Sequence, residues 1–560
     1  MTTITKSVGA GTPTPGSSSG PQEPANHRSP LQTLRDIWAS DLSQNKWAVS
    51  VAVIFGVLMA AIDTSVVNVA LPQIQGNLGA TQQEITWIST AYMISVVILM
   101  PLTNFLSIRF GRKRVYLVSL TLFTGSSIMC GTSRSLEELI FWRAIQGCGA
   151  GTLQPMAQAM FREAFPRKEQ GLAMGLFGFV VLAGPAIGPA LGGYITDNFN
   201  WPWIFFINVP IGIIGFLVAM RVLVDPPYMH GSTKANIDGA GIILLAVGLA
   251  ALQTLLEQGQ TDDWFSSRFI CWTTAISVCT LVGFVWWELT SDQPAVDLRI
   301  LKDIQFTAGT IVGGVLGIGL FASLFLLPQF MQTLLGFTAT QSGLSLMPRS
   351  LAMMIMMPIA GLAYNRIGPR IMIASGLFIA AYTQWLLSRF TVEVAAQDLL
   401  IPLIVQGLGF AMVFVSLNTA ALSNIDRKKM TSATGLNNLI RQLGGSIGIA
   451  VVVTQLTQHS DMARADLVNN AQASNPLYFQ QLHAIAGAFV ANGDSLSTAL
   501  AAAPQVMNEL IERQAICIAY DYIFFWIGLL FAACIPLVLF LGGRSTGTVH
   551  VGHTEAVVAE

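Results

Sequence analysis

Long apolar runs separated by short polar clusters dominate the chain and set its pattern of elements. A helix needs about 20 apolar residues to cross a bilayer. By that length the runs predict helices at 47–71, 87–108, 115–132, 136–161, 171–195 and 201–223, then at 239–257 and 269–288. Six more follow at 306–334, 343–364, 371–388, 398–422, 432–457 and 515–541, fourteen in all. The first 30 residues hold 19 Ser, Thr, Pro or Gly and are expected to be a disordered tail. The first apolar run starts at Trp47 and is longer than a cleaved leader's apolar stretch, so it is expected to remain as a membrane helix.

Composition turns that pattern into a fold class. Of 560 residues, 53% are hydrophobic and 11% charged, against about 25% charged in a soluble domain. A water-soluble fold would still show roughly half its surface as apolar atoms and could not hide this excess, so the chain reads as an all-α polytopic membrane protein. A net charge of −1 gives no bulk attraction to nucleic acid. The six cysteines lie in apolar segments without a CxxC pair, which argues against a disulfide framework or a metal site.

Basic residues orient such a chain, because Lys and Arg stay on the cytoplasmic side. With the N-terminus inside, 21 of the 29 fall in cytoplasmic segments and five outside (Arg134, Arg268, Arg389, Arg464, Arg513). Three more, Arg143, Arg349 and Arg441, lie within helices. Both termini are therefore expected in the cytoplasm.

The chain also repeats itself. Asn104 to Arg112, with Arg109 and Gly111, returns 257 residues later as Gly361 to Arg370, with Arg366 and Gly368. Gln146-Gly147-Cys-Gly149 returns 260 residues later as Gln406-Gly407-Leu-Gly409, and Arg167, Ala173 and Gly175 return as Arg427, Ala433 and Gly435. The simplest organisation is a tail (1–46), six helices (47–223), a linker with an inserted helix pair (224–305), six more helices (306–541) and a second tail (542–560).

Several motifs together resemble one family. They are Asp63-Thr-Ser-Val-Val-Asn68-Val-Ala-Leu-Pro72, the basic loop Arg109-Phe-Gly111-Arg112-Lys113, and Arg143-Ala-Ile-Gln146-Gly147. Gly184-Pro185-Ala-Ile-Gly188-Pro189-Ala-Leu-Gly192-Gly193 and Trp201-Pro-Trp203-Ile-Phe-Phe-Ile-Asn208-Val-Pro210 complete the set. Over residues 45–545 the chain resembles the major facilitator superfamily, and within it the fourteen-helix drug/proton antiporters of the EmrB/QacA type. The resemblance implies two six-helix halves with two additional central helices, alternating access, and a plasma or inner membrane location. It marks the helix 5 run as the antiporter motif and the loops at Arg109, Gly111, Arg112, Arg366 and Gly368 as cytoplasmic gate elements. The family's loop acid is absent, with Ile108 in its place and Asn365 in the second copy, so the basic residues either gate or only set topology. Family members that work with a periplasmic adaptor and an outer-membrane channel carry an insertion before the last helix. Here that segment, 459–514, reads as a polar outward loop, either plainly solvated or docking such an adaptor.

Asp63 is the only charge between Lys46 and Glu84. A mid-membrane carboxylate costs about 2.5–3.5 kcal/mol on insertion scales, so it marks function by default. The expected role is proton coupling with the proton as the only cofactor; the alternative is a structural carboxylate paired permanently with an arginine. Arg143 is either its partner or a carbonyl-bound anchor. Glu257, Glu288 and Asp521 are rivals nearer helix ends. Gly184, Gly188 and Gly192 form a smooth stripe suited to an interface between rocking halves. Asn68, Gln154, Gln329, Asn418 and Arg441 are expected to line a substrate cavity between the halves. No phosphate-binding Gly-Lys pair exists and all six histidines fall outside the fourteen predicted membrane helices, which argues against an ATP motor, a haem or an enzyme. The favoured reading is export of amphipathic small molecules in exchange for protons. Export of one metabolite or siderophore is the alternative, and a sensor or enzyme a remote one.

Overall fold

Short polar signals close the apolar runs and position the helices. The computed structural model describes residues 45–225, 238–291, 294–471, 476–493 and 495–541, so the tails expected at either end lie outside the described residues except for Asn45 and Lys46. Asn45 caps α1 (Lys46–Leu78) by accepting from the Trp47 N–H, and Gly79 at φ +64° ends it in the left-handed conformation. The first half continues with α2 (Gln82–Phe110), α3 (Arg112–Thr132), α4 (Leu136–Ala164), α5 (Gln170–Asn198) and α6 (Asn208–Val222). The inserted pair is α7 (Gly239–Gln258) and α8 (Arg268–Thr290). The second half comprises α9 (Ile304–Thr333), α10 (Ala339–Ile367), α11 (Pro369–Leu387), α12 (Ala396–Ala421), α13 (Met430–Asn470), α14 (Pro476–Ala491) and α15 (Leu496–Cys534).

The protein is all-helical among the described residues, and thirteen helices are long and apolar enough to cross a membrane. The remaining expected crossing is α4. Its apolarity is diluted by Arg143, Gln146, Gln158 and Arg162, which are buried between helices rather than shown to lipid.

Three sequence expectations need correction. The run 201–223 holds one crossing, Trp203–Val222, but it is interrupted at Ile207: a helical turn at Trp203–Phe206 precedes α6, where Pro210 has no N–H to carry the ladder across the junction. The helix expected at 432–457 extends to Asn470, and the one at 515–541 begins at Leu496 and gives way to a 3₁₀ turn, Pro536–Phe540. The segment 459–514 is consequently helical over most of its length, including α14, rather than a loop; Asn475 and Asp494 lie outside the described residues.

The internal repeat is visible in the geometry. Thr81 and Thr338, 257 apart, each form a reciprocal cap with the side chain three residues on, Glu84 and Gln341. Gly111 and Gly368, 257 apart, join their helices at φ +86° and +93°. A Cβ on Gly175 of α5 would fall 2.5 Å from the Met357 carbonyl of α10, and one on Gly435 of α13 would fall 2.6 Å from the Met100 carbonyl of α2. These glycines are 260 apart and the methionines 257, so one close helix crossing is built twice, once on each side of the pseudo-twofold axis.

Those two crossings, α5 on α10 and α13 on α2, join the halves. The inserted α7 packs against α2 and α13 and so touches both. Gln258 of α7 donates to Thr86 (3.2 Å), Gln253 to Ser446 (2.9 Å), and Trp264 just beyond α7 to Thr454 (3.0 Å). α8 packs on α7 and leaves Trp272, Val282 and Trp286 on the outside, as a lipid-facing helix should.

Candidate functional site

Asp63 lies midway along α1 and is completely buried. Arg143 and Gln146 are three residues apart on α4, so both side chains leave the same face. That face meets α1. Arg143 Nη1 donates to Asp63 Oδ2 at 2.6 Å and to Gln146 Oε1 at 2.7 Å. Gln146 Nε2 donates to Asp63 Oδ1 at 2.9 Å.

The broken helix before α6 completes the enclosure. Asn208, the first residue of α6, turns its amide inward and donates to Asp63 Oδ1 at 2.9 Å. The Phe205 carbonyl, exposed by the break, accepts from Ser127 of α3 at 2.9 Å, and that hydroxyl accepts in turn from Asn208 and Gln146. The Arg143 guanidinium lies 4.1 Å from the Tyr92 ring centroid, and its Nε reaches the Ile88 carbonyl at 3.4 Å. Both carboxylate oxygens and the guanidinium are thus engaged in a buried centre drawn from five helices. Charge-assisted bonds of this kind are roughly twice as strong as neutral ones. The sequence singled out Asp63 and Arg143, and the structure brings them together; it did not single out Ser127, Asn208 or Tyr92 as site residues. Asn208 ends the Trp201–Pro210 motif, which is the one signal that points to it.

The glycine stripe of α5 lies against this centre. A Cβ on Gly184 would collide with Ala61 and one on Gly188 with Ser65, the α1 residues flanking Asp63, while Gly192 faces Val66. The stripe therefore packs within the first half, which corrects the expectation from sequence that it would lie between the halves. The half-to-half contact of α5 uses Gly171 and Gly175 instead. α5 continues through Pro185, Gly193 has open space where a Cβ would go, and the Pro189 side chain lies outside the described ones.

The expected cavity residues do not form one site. Asn418 and Arg441 meet between the halves, where Asn418 Oδ1 accepts from Gln158 Nε2 (3.0 Å), Asn437 Nδ2 (3.1 Å) and Arg441 Nη1 (3.5 Å). Asn438 Nδ2 donates back to Gln158 Oε1 at 2.7 Å and its Oδ1 accepts from Arg441. Gln158 and Asn418 are 260 apart, so repeat-related residues clasp each other across the pseudo-twofold axis. Gln329 instead lines a cavity of about 260 Å³ inside the second half, with Thr333, Thr457, Ser460, Asp461 and Tyr520. Asn68 accepts from Ser89 at 3.2 Å, and Gln154 is half-buried on α4.

The basic loops do more than carry charge. Arg112 pairs with Glu163 in its own half (2.7 Å) and reaches Thr431 of the other at 3.0 Å. Arg162 donates to the Thr419 carbonyl (3.2 Å), and Asn365 to the Lys168 carbonyl (2.5 Å). The acid missing at position 108 has a local substitute: Asp225 accepts from the Lys113 N–H at 2.7 Å and sits where a Cβ on Gly111 would go. The halves are thus clasped from Gln158 down to the basic-loop end. Arg109 and Arg366 lie in the last turns of α2 and α10, just before Gly111 and Gly368.

Residues 53–449 match the Major Facilitator Superfamily. The chain is 35% identical over 427 residues to the multidrug export protein EmrB of Haemophilus influenzae, covering 73% of this chain and 82% of that protein. It is 31% identical over 495 residues to the probable multidrug resistance protein EmrY of Escherichia coli, covering 88% and 95%. Among solved structures, the proton:xylose symporter XylE superposes with a TM-score of 0.58 at 12% identity, over 90% of this chain and 97% of that one, which shows the shared fold. With its duplicated halves and two extra helices, the chain belongs to the major facilitator superfamily as a multi-pass transporter of the EmrB multidrug-export type, not an enzyme.

Proposed function

We propose that this transporter exports amphipathic compounds across the inner membrane in exchange for protons, with Asp63 as the proton-carrying group and Arg143 as its switch. The observation that carries the reading is the Asp63–Arg143 pair itself, fully buried and bonded on both oxygens in the middle of a membrane helix. A carboxylate held this way exchanges a proton only when the pair opens. Protonation neutralises Asp63 and frees the guanidinium, which then rests on the Tyr92 ring and the Ile88 carbonyl already beside it. The stripe of Gly184 and Gly188 lets α5 ride directly on the α1 segment carrying Asp63, so the protonation state can be felt as a shift between these helices.

With the basic loops in the cytoplasm, the clasped end is the inner one, and the conformation faces outward. Cargo would enter when the Gln158–Asn418 clasp opens. The helical extension at α13–α15 leaves Phe479, Val490 and Leu496 exposed, which suits an adaptor leading to an outer-membrane channel. The name of the EmrB relative, a multidrug export protein, supports the amphipathic cargo.

Purified protein in proteoliposomes tests the reading. An imposed proton gradient should drive uphill accumulation of a lipophilic dye by the wild type, and Asp63→Asn should abolish that accumulation while leaving dye binding within threefold. Undiminished uphill transport by Asp63→Asn would remove Asp63 from the coupling step.

A further inference from the structure

The second half carries a buried guanidinium that no group among the described residues neutralises. Arg349 of α10 is 2% exposed, and neither Nη1 nor Nη2 has a hydrogen-bond partner among the described residues. The Phe410 ring lies 5.3 Å from it. A ring face attracts the cation but leaves the in-plane N–H groups unbonded. The neighbourhood shares the deficit. Gln406, fully buried on α12 one turn before Phe410, has neither Nε2 nor Oε1 bonded. The two helices touch here, since a Cβ on Gly407 would run into the Arg349 carbonyl. Ser342, two turns before Arg349 on the same face of α10, has an unbonded, buried hydroxyl.

The internal repeat shows what is missing. The 260 offset carries Gln146 to Gln406, and the 257 offset carries Ser127 to Gln384 and Tyr92 to Arg349; Leu71-Pro72-Gln73 returns 256 residues later as Leu327-Pro328-Gln329, which carries Asp63 to Gly319. Gln384, the counterpart of Ser127, donates to Ser323 at 2.8 Å. The second half thus repeats part of the layout of the Asp63 centre, with a guanidinium and two amides, but has a glycine where the carboxylate would be. Among the described residues every other buried arginine has an acceptor: Arg143 has Asp63, Arg112 has Glu163, Arg162 has the Thr419 carbonyl, and Arg441 has Asn418 and Asn438.

We infer that this pocket binds a compact, singly charged anion, a halide or a carboxylate, between Arg349 and Gln406. Water could bond the N–H groups but would leave the charge uncompensated in a low-dielectric core. The guanidinium fork matches a carboxylate edge and the amide N–H adds a further donor. The anion arrives either free from solution or as the acid group of a cargo molecule.

The test uses full-length protein in zwitterionic nanodiscs in halide-free buffer, with radiolabelled chloride and radiolabelled benzoate as probes. Wild type should bind at least one probe saturably, Arg349→Gln should weaken it at least tenfold, and Arg349→Lys should retain most of it. Gln406→Leu, which leaves the charge in place, should weaken binding severalfold and serves if the arginine variant fails to fold. Chloride binding displaced by benzoate identifies a free anion; benzoate binding alone, with benzoate export in proteoliposomes, identifies the cargo's acid group. Absence of saturable binding of both probes to the wild type overturns the inference, as does undiminished binding in folded Arg349→Gln. Asp63→Asn should bind as the wild type does, so a failure of the proton-coupling reading leaves this result intact.

Discussion

A single charge in an apolar helix is legible from sequence because its cost has to be met somewhere, and Asp63 and Arg143 meet each other's. Their neutral neighbours were not legible. Gln146, Ser127 and Asn208 are ordinary polar residues in apolar runs, and only packing decides that all three turn toward one carboxylate. The pair makes a thermodynamic prediction. Arg143→Met should destabilise the protein by about 3–5 kcal/mol, because it strands a buried charge. Adding Asp63→Asn to that variant should restore more than half of the loss, read as thermal unfolding in detergent. A double variant no more stable than Arg143→Met would mean that other contacts of the arginine dominate.

Elements were read with uneven success, and the reason is physical. Hydropathy detects what suits a bilayer, so it found the crossings, but it says nothing of helices that leave the bilayer. Residues 496–514 are rich in Ala, Leu, Glu and Gln, strong helix formers, yet polar enough to be read as a loop. The glycine stripe of α5 was legible as a smooth surface, while its partner was not, since spacing alone does not say which helix lies opposite. Gly184→Leu should abolish folding or transport, because the side chain would enter the α1 backbone at Ala61. Gly193→Ala, where the space is open, should leave expression and transport within twofold of wild type. Equal damage from both, measured as folded yield and dye export, would show that helix flexibility rather than packing sets the requirement.

At the scale of the whole molecule, the duplicated crossings leave two halves joined along α5–α10 and α13–α2 and clasped by repeat-related amides. Gln158→Cys with Asn418→Cys, in a background lacking the six native cysteines, should cross-link on mild oxidation, halt transport and recover with reductant. Cross-linked protein that still transports would show that this contact does not open in the cycle. One element reaches beyond this body. α13 has 41 residues, about 60 Å of helix against a hydrocarbon core of about 30 Å. Roughly half of it is therefore a lever arm projecting from the half that moves. A tilt of about 10° at the membrane would sweep its tip by about 5 Å, so any rocking of this half would be carried mechanically well clear of the bilayer.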